Sequence, residues 1–102
     1  MSKGTSYQEY LIQSLKNPEE AAGYLNAALA GGDLSVFLLA LQNVIKARGG
    51  MTKLAEQTHK SRTSLYKALS TSGNPYLKNT HDILTAMGMQ FQIVNSNDNH
   101  TH

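Results

Sequence analysis

Basic and hydroxyl side chains recur between Ser61 and Ser70 at a spacing that places them on one side of a helix. Leu65, Ala68 and Leu69 are expected to face inward, so the polar residues are left on the outer face. Arginine can bind guanine through two hydrogen bonds, threonine and serine can contact base edges or thymine methyl groups, and lysine can bind a base or a phosphate. This face therefore indicates contact with DNA. The candidate DNA-contacting residues here are Ser61, Arg62, Thr63, Ser64, Tyr66, Lys67 and Ser70.

The start of the same helix suggests contact with phosphate as well. Ser61 is well placed to cap it, which leaves the backbone amides of residues 62–64 at a helix N-terminus, where a phosphate oxygen can accept their hydrogen bonds. For Tyr66 two roles stay open. The ring can stack on a sugar or donate to a phosphate, or it can occupy a half-buried position in the protein core.

Gly50–Ser70 is the element that must position these residues. It reads as two short helices joined by a tight turn, with Leu54 and Ala55 packing the first helix onto the second. This is the sequence form of a helix-turn-helix, whose second helix enters the DNA major groove. The turn has His59 and Lys60 where a glycine and an aliphatic residue are common. Histidine tolerates a positive φ, and lysine can cover the core with its stem while its ammonium faces solvent or phosphate.

Charge is divided unevenly along the chain. Residues 46–78 carry seven cations and one carboxylate, a net charge of +6, whereas the remaining residues carry two cations and six carboxylates, a net charge of −4. A phosphate-binding surface requires such a concentration of positive charge, although lysines on a solvated surface can also cluster by chance. Lys53 and Lys60 are the predicted contacts to the phosphate backbone.

Residues 6–48 are predicted to form N-terminal scaffold helices. Ser6–Glu9 has the form of a capping box, Asn17 favours a second helix start, and Asp33 should cap the central core helix. The residues expected to face inward recur at helical spacing. They are Tyr7, Leu11, Leu15, Ala22, Leu25, Leu29, Leu34, Phe37, Leu38, Leu41, Val44 and Ile45.

The C-terminal part is predicted to contain a last helix over residues 79–88, starting at Asn79 or Thr80, and a strand over residues 89–94. In that strand Met89, Phe91 and Ile93 alternate with Gln90, Gln92 and Val94. A lone strand leaves its backbone groups unpaired, so we predict antiparallel pairing with the same strand of a second molecule. Such a homodimer suits a palindromic operator. The alternative is an extended segment that packs on its own domain.

Catalytic, metal-binding and membrane functions are not indicated. The sequence holds no nucleophile–base pair, paired-carboxylate signature or phosphate-binding glycine loop, so we expect neither an enzyme nor a bound cofactor. The absence of cysteine, of a long apolar run and of a signal-peptide h-region suits a cytoplasmic protein. The polar tail over residues 95–102 is expected to be disordered, and its His100 and His102 to be solvated rather than metal ligands.

Five segments carry a family resemblance: Tyr24–Ala28, Gly49–Ala55, Ser64–Ser70, Gly73–Pro75 and Ala86–Gly88. Through them the sequence, from Tyr7 to Val94, resembles the addiction-module antidote proteins, which are HigA-like antitoxins with a lambda-repressor or Xre-type helix-turn-helix. The resemblance implies a small regulator encoded beside a toxin of the RelE/ParE/HigB-like type. It would bind and neutralise that cognate toxin and repress their shared promoter.

The predicted fold class is all-α: a five-helix, lambda-repressor-like helix-turn-helix domain over residues 1–102, with a short C-terminal β-strand paired across a dimer. The predicted function is that of a sequence-specific DNA-binding antitoxin that represses its own operon. Two alternatives stay open. One is a stand-alone, one-component repressor, and the other is a helical protein-interaction module that does not bind DNA.

Overall fold

The computed structural model describes residues 3–72 and 74–96, with the backbone alone for residues 3–6. In this part of the chain six helices follow one another: α1 Lys3–Ser14, α2 Pro18–Ala30, α3 Leu34–Ala47, α4 Gly50–Thr58, α5 Arg62–Ala68 and α6 Leu77–Ala86. The prediction of an all-helical fold is confirmed, but six helices are present among the described residues rather than five. None of these helices is long and apolar enough to span a membrane.

The helix starts follow from local hydrogen bonds. Asn17 caps α2 by accepting from the amides of Glu19 at 2.8 Å and Glu20 at 3.1 Å, which separates α2 from α1. Asp33 caps α3 by accepting from the amide of Ser35 at 2.9 Å. The first helix begins at Lys3, ahead of the capping box expected to start it. The caps at Asn17 and Asp33 are as predicted, and each satisfies amides that have no partner inside the helix.

The last helix begins two to three residues earlier than predicted, at Leu77. The amide and the hydroxyl of Thr80 both donate to the carbonyl of Tyr76, at 3.1 and 3.2 Å. Thr80 is also buried. It is therefore an interior residue of α6, whose hydroxyl bonds back to the preceding turn, and not the cap that its side chain suggests.

The third helix lies at the centre of the core, and α1, α2 and α4 all contact it. The fourth helix contacts α5 and α6 and so carries them onto the core. Tyr7, Leu29 and Leu34, which were expected to face inward, are exposed. The buried apolar residues are Leu15, Ala21, Leu25, Phe37, Leu38, Ala40, Leu41, Val44, Ile45, Leu54, Leu65, Leu69, Ile83 and Leu84.

The predicted strand over residues 89–94 is not formed, and the described chain contains no strand. Met89 and Phe91 pack against the core, with the Phe91 ring centroid 6.5 Å from that of Phe37, while Gln90 and Gln92 point outward. The alternation stops at Ile93, which is 94% exposed. A strand needs a partner for its backbone groups, and one copy of the chain supplies none here. Residues 97–102 of the predicted tail lie outside the described residues.

Candidate nucleic-acid interface

The turn between α4 and α5 has the conformation that the sequence predicts. His59 adopts a left-handed conformation with φ 60° and ψ 28°, which ends α4 as a glycine commonly does. Ser61 is extended, and its hydroxyl oxygen accepts from the amide of Ser64 at 3.0 Å. The cap is therefore confirmed. It also occupies the Ser64 amide, so this amide is not free for a phosphate oxygen as the sequence suggested.

The inner side of α5 is fixed by apolar contacts. Leu65 and Leu69 are fully buried, and Ala68 is half-buried. From α4, Leu54 is buried in the same core. Because a helix of seven residues is too short to persist alone, this packing is what keeps α5 helical.

The end of α5 is held by α3, a contact that sequence reasoning missed. The Gln42 side-chain amide donates to the carbonyl of Leu69 at 2.8 Å, and the Ser35 hydroxyl donates to the carbonyl of Thr71 at 3.2 Å. The two donors are seven residues apart and so lie on the same side of α3. Two polar residues at that spacing in a mainly apolar helix were the available signal.

The outer face of α5 agrees with the prediction except at its end. Ser61, Arg62, Thr63, Ser64 and Lys67 are exposed. Tyr66 is 55% exposed, which favours the surface role over the half-buried core position.

Ser70 lies beyond the end of α5 and is only partly exposed. Its hydroxyl lies 2.9 Å from that of Ser72 and accepts from the Ser72 amide at 3.3 Å. Ser70 thus belongs to the loop after α5 and not to the helix face on which it was predicted. At the end of α5 the carbonyls of Leu65 and Lys67 accept from the amides of Leu69 and Ser70, and the next carbonyl, that of Leu69, accepts from Gln42 of α3.

Two open grooves flank α5. Arg62 and Tyr66 line a groove of about 450 Å³ together with Gln42, Met51 and Thr52. On the other side, a groove of about 540 Å³ is lined by Ser61, Ser64 and Lys67 together with Asn74, Tyr76 and Asn79 of the following segment. The last three residues were missed, because only the fold brings them beside α5. The outer face is thus a ridge with polar side chains on both flanks.

The two lysines predicted to bind phosphate differ in their surroundings. Lys53 is exposed, and its stem crosses Gly49 so closely that a Cβ atom there would lie 2.5 Å from the Lys53 Cδ. Lys60 is only 23% exposed, and its ammonium lies 3.2 Å from the Asp82 Oδ2. The ammonium that was predicted to face solvent or phosphate is paired with a carboxylate of α6, and its contact with phosphate stays a prediction.

Two lysine ammonium groups and one histidine ring lie close to the Asp82 carboxylate. The Lys78 ammonium lies 3.1 Å from its Oδ2, and the His81 Nδ1 lies 3.6 Å from its Oδ1. The ammonium groups of Lys78 and then Lys60 hold the pKa of the Asp82 carboxyl below its ordinary value. The carboxyl is therefore ionised at neutral pH.

Known proteins resemble this chain over most of its length. A family model described as "Probable addiction module antidote protein" matches residues 7–95. An uncharacterized protein of Haemophilus influenzae is 36% identical over 86 residues, which are 84% of this chain and 88% of that protein. No solved structure matches the chain. The chain belongs to the family of probable addiction module antidote proteins.

Proposed function

We propose that the protein is an antitoxin that binds operator DNA as a homodimer, represses its own operon and neutralises a toxin of the RelE/ParE/HigB-like type. Membership of the antidote family supports a toxin partner. The outer face of α5 is the observation that carries the DNA-binding part. A seven-residue helix is fixed at both ends and along its inner side, while the polar residues of its other side remain exposed.

In this proposal α5 is the recognition helix of a lambda-repressor-like helix-turn-helix and enters the major groove. Arg62, Thr63 and Lys67 contact base edges, since these side chain types match the donor and acceptor pattern of that groove. Ser61, Ser64 and Lys53 contact the phosphate backbone, and Tyr66 contacts a sugar or a phosphate. Ser70 approaches the backbone from the loop. The net charge of +6 over residues 46–78 supports this placement.

The homodimer is supported by an unfilled apolar groove of about 600 Å³. It is lined by Leu25, Phe37 and Leu84, and by residues 89–92 and 94 of the C-terminal segment. Ile93 and Val94 of that segment are exposed although both are apolar. Antiparallel pairing of this segment with its copy would give backbone groups of the segment a strand partner and cover these side chains. A two-fold dimer then presents two α5 helices about 34 Å apart, as a palindromic operator requires.

Titration against the DNA upstream of the gene tests the DNA-binding part, with a scrambled duplex and two salt concentrations. Wild-type protein should prefer the upstream DNA and lose affinity steeply as salt rises. Arg62→Ala should weaken operator binding by about 1–3 kcal/mol and relax base preference at one position. Lys53→Ala should weaken binding to both duplexes and flatten the salt dependence.

Lys16→Ala is the matched control, since it removes an exposed cation from the loop between α1 and α2 rather than from the candidate interface. It should behave as wild type. If Arg62→Ala binds as tightly as wild type, the reading face is misplaced. If wild-type protein binds neither duplex, the helical interaction module is favoured instead.

Direct binding to the protein encoded beside this gene separates the antitoxin from a stand-alone repressor. An antitoxin should form a stable complex with that neighbour and abolish its growth inhibition in co-expression. Operator binding without any such complex would leave the one-component repressor as the function.

A further inference from the structure

Asp82 of α6 holds the ammonium of Lys60, which lies in the turn between α4 and α5. The Lys60 side chain is 23% exposed, whereas Lys78, which binds the same carboxylate oxygen, is 81% exposed. The carboxylate therefore holds two lysines in different ways. Lys78 lies over it from the solvent side, and Lys60 is enclosed between the turn and α6.

Lys60 differs from the other cations of the candidate interface in this respect. Lys53, Arg62 and Lys67 are exposed, and within the described ranges no carboxylate lies within 4.0 Å of their charged atoms. Lys60 also lines the same groove as Ser61, Ser64 and Lys67. Its position is that of a phosphate-binding residue, but its charge is already balanced inside the protein.

We propose that Asp82 is a positioning residue that withholds Lys60 from the phosphate backbone, an inference that rests on the proposed DNA binding. The carboxylate is ionised at neutral pH, so its negative charge is present under binding conditions. A lysine stem has four flexible carbons, and an ammonium released from Asp82 can turn toward phosphates along the groove beside it.

The pair has a defined consequence for recognition. A phosphate contact strengthens binding to every sequence alike and adds no base preference. By holding Lys60, Asp82 lowers binding to non-cognate DNA and to the operator together, and it makes both less sensitive to salt. Discrimination then depends on the exposed face of α5.

The test compares wild type with Asp82→Asn, measuring the dissociation constant for operator and scrambled duplexes at several salt concentrations. The Asp82→Asn variant should bind both duplexes more tightly at low salt. Its plot of log affinity against log salt should be steeper by about 0.9 for each bound protomer. Over a fourfold rise in salt this is an additional loss of roughly 3.5-fold per protomer.

Two double variants identify the lysine responsible. The gain in slope should disappear in Lys60→Gln/Asp82→Asn and persist in Lys78→Gln/Asp82→Asn. An unchanged slope in Asp82→Asn, weaker binding to both duplexes, or a gain that depends on Lys78 would each overturn the proposal. Circular dichroism establishes that each variant is folded, and Asp82→Ser serves as the second variant if the asparagine disrupts α6.

The same titrations test the proposed repressor function and the role of Asp82 separately. A wild-type protein that binds the operator no better than the scrambled duplex counts against the proposed sequence-specific repressor. The slope difference between wild type and Asp82→Asn is measured on either duplex and decides the role of Asp82 independently.

Discussion

Replacing Ser61 with alanine removes the side-chain cap of α5. The Ser61 hydroxyl accepts from the Ser64 amide at 3.0 Å, and this amide has no partner within the helix. Loss of a serine cap costs about 1 kcal/mol, with a range of about 0.5–2 kcal/mol. We expect the middle to upper part of this range, because α5 has only seven residues and a frayed first turn is a large part of it.

Thermal unfolding followed by circular dichroism measures this change. For a domain of this size a loss of 1 kcal/mol lowers the midpoint by about 4–8 °C. Thr63→Ala is the matched control. It removes an exposed hydroxyl from the second residue of the same helix and leaves the cap in place. Alanine has the higher helix propensity, so the midpoint should be equal to that of wild type or higher.

Ser61→Asp separates the cap from the proposed DNA contact. Aspartate caps a helix as well as serine does, so this variant should unfold close to wild type. It also places a negative charge where a phosphate is proposed to lie, so its affinity for both duplexes should fall. If Ser61→Ala unfolds at the wild-type temperature, the cap contributes nothing to stability. If Ser61→Asp binds DNA like wild type, Ser61 does not face the backbone.

Three further predictions concern other parts of the molecule. Gly49→Ala should lose about 1–3 kcal/mol of stability, because φ is 120° and the new Cβ would meet the Lys53 stem. Gly23→Ala, in open space on α2, should instead gain about 0.5–1 kcal/mol. Equal effects of the two substitutions in urea unfolding would contradict this. Ile93→Lys should give monomers in sedimentation with an unchanged fold. The control Leu39→Lys, at an exposed position on α3, should remain dimeric. If Ile93→Lys is dimeric, residue 93 is not in the interface. Because the pKa of Asp82 is lowered in the native state, its ionised carboxylate stabilises the fold at pH values above the ordinary aspartate pKa, and this contribution is lost as pH falls through the lower native value. The stability difference between wild type and Asp82→Asn should therefore shrink below about pH 4. A difference that stays constant with pH would refute the ion pairs as its source.

Most features that depend on neighbours in sequence were predicted correctly, except the starts of α1 and α6. The caps at Asn17, Asp33 and Ser61 each join a side chain to an amide two or three residues away, so the residue types alone reveal them. The left-handed conformation of His59 was also predictable, because the turn requires a positive φ at this position and histidine tolerates one. The apolar period also located the core face of α3.

Features that depend on the packing of helices were not predictable. The Gln42 amide and the Leu69 carbonyl are 27 residues apart, and only the placement of α3 beside α5 brings them together. Likewise, a lysine in a turn gives no sign that α6 will provide its partner. At Met89 and Phe91 the alternation reported burial correctly, but helices and not a sheet provide the burial. The same pattern fits a strand and an extended segment lying on a helical core.

Attachment of α5 at both ends and along its inner side has a consequence for how such a protein can change over generations. Among the described residues, the side chains of Thr63 and Lys67 make no hydrogen bond or ion pair, so replacing them breaks no polar contact of the fold. If the gene is duplicated, the two copies can accumulate different residues at these positions while both continue to fold. Each copy can then acquire its own target sequence, and cross-regulation between the two loci declines without any change in the scaffold.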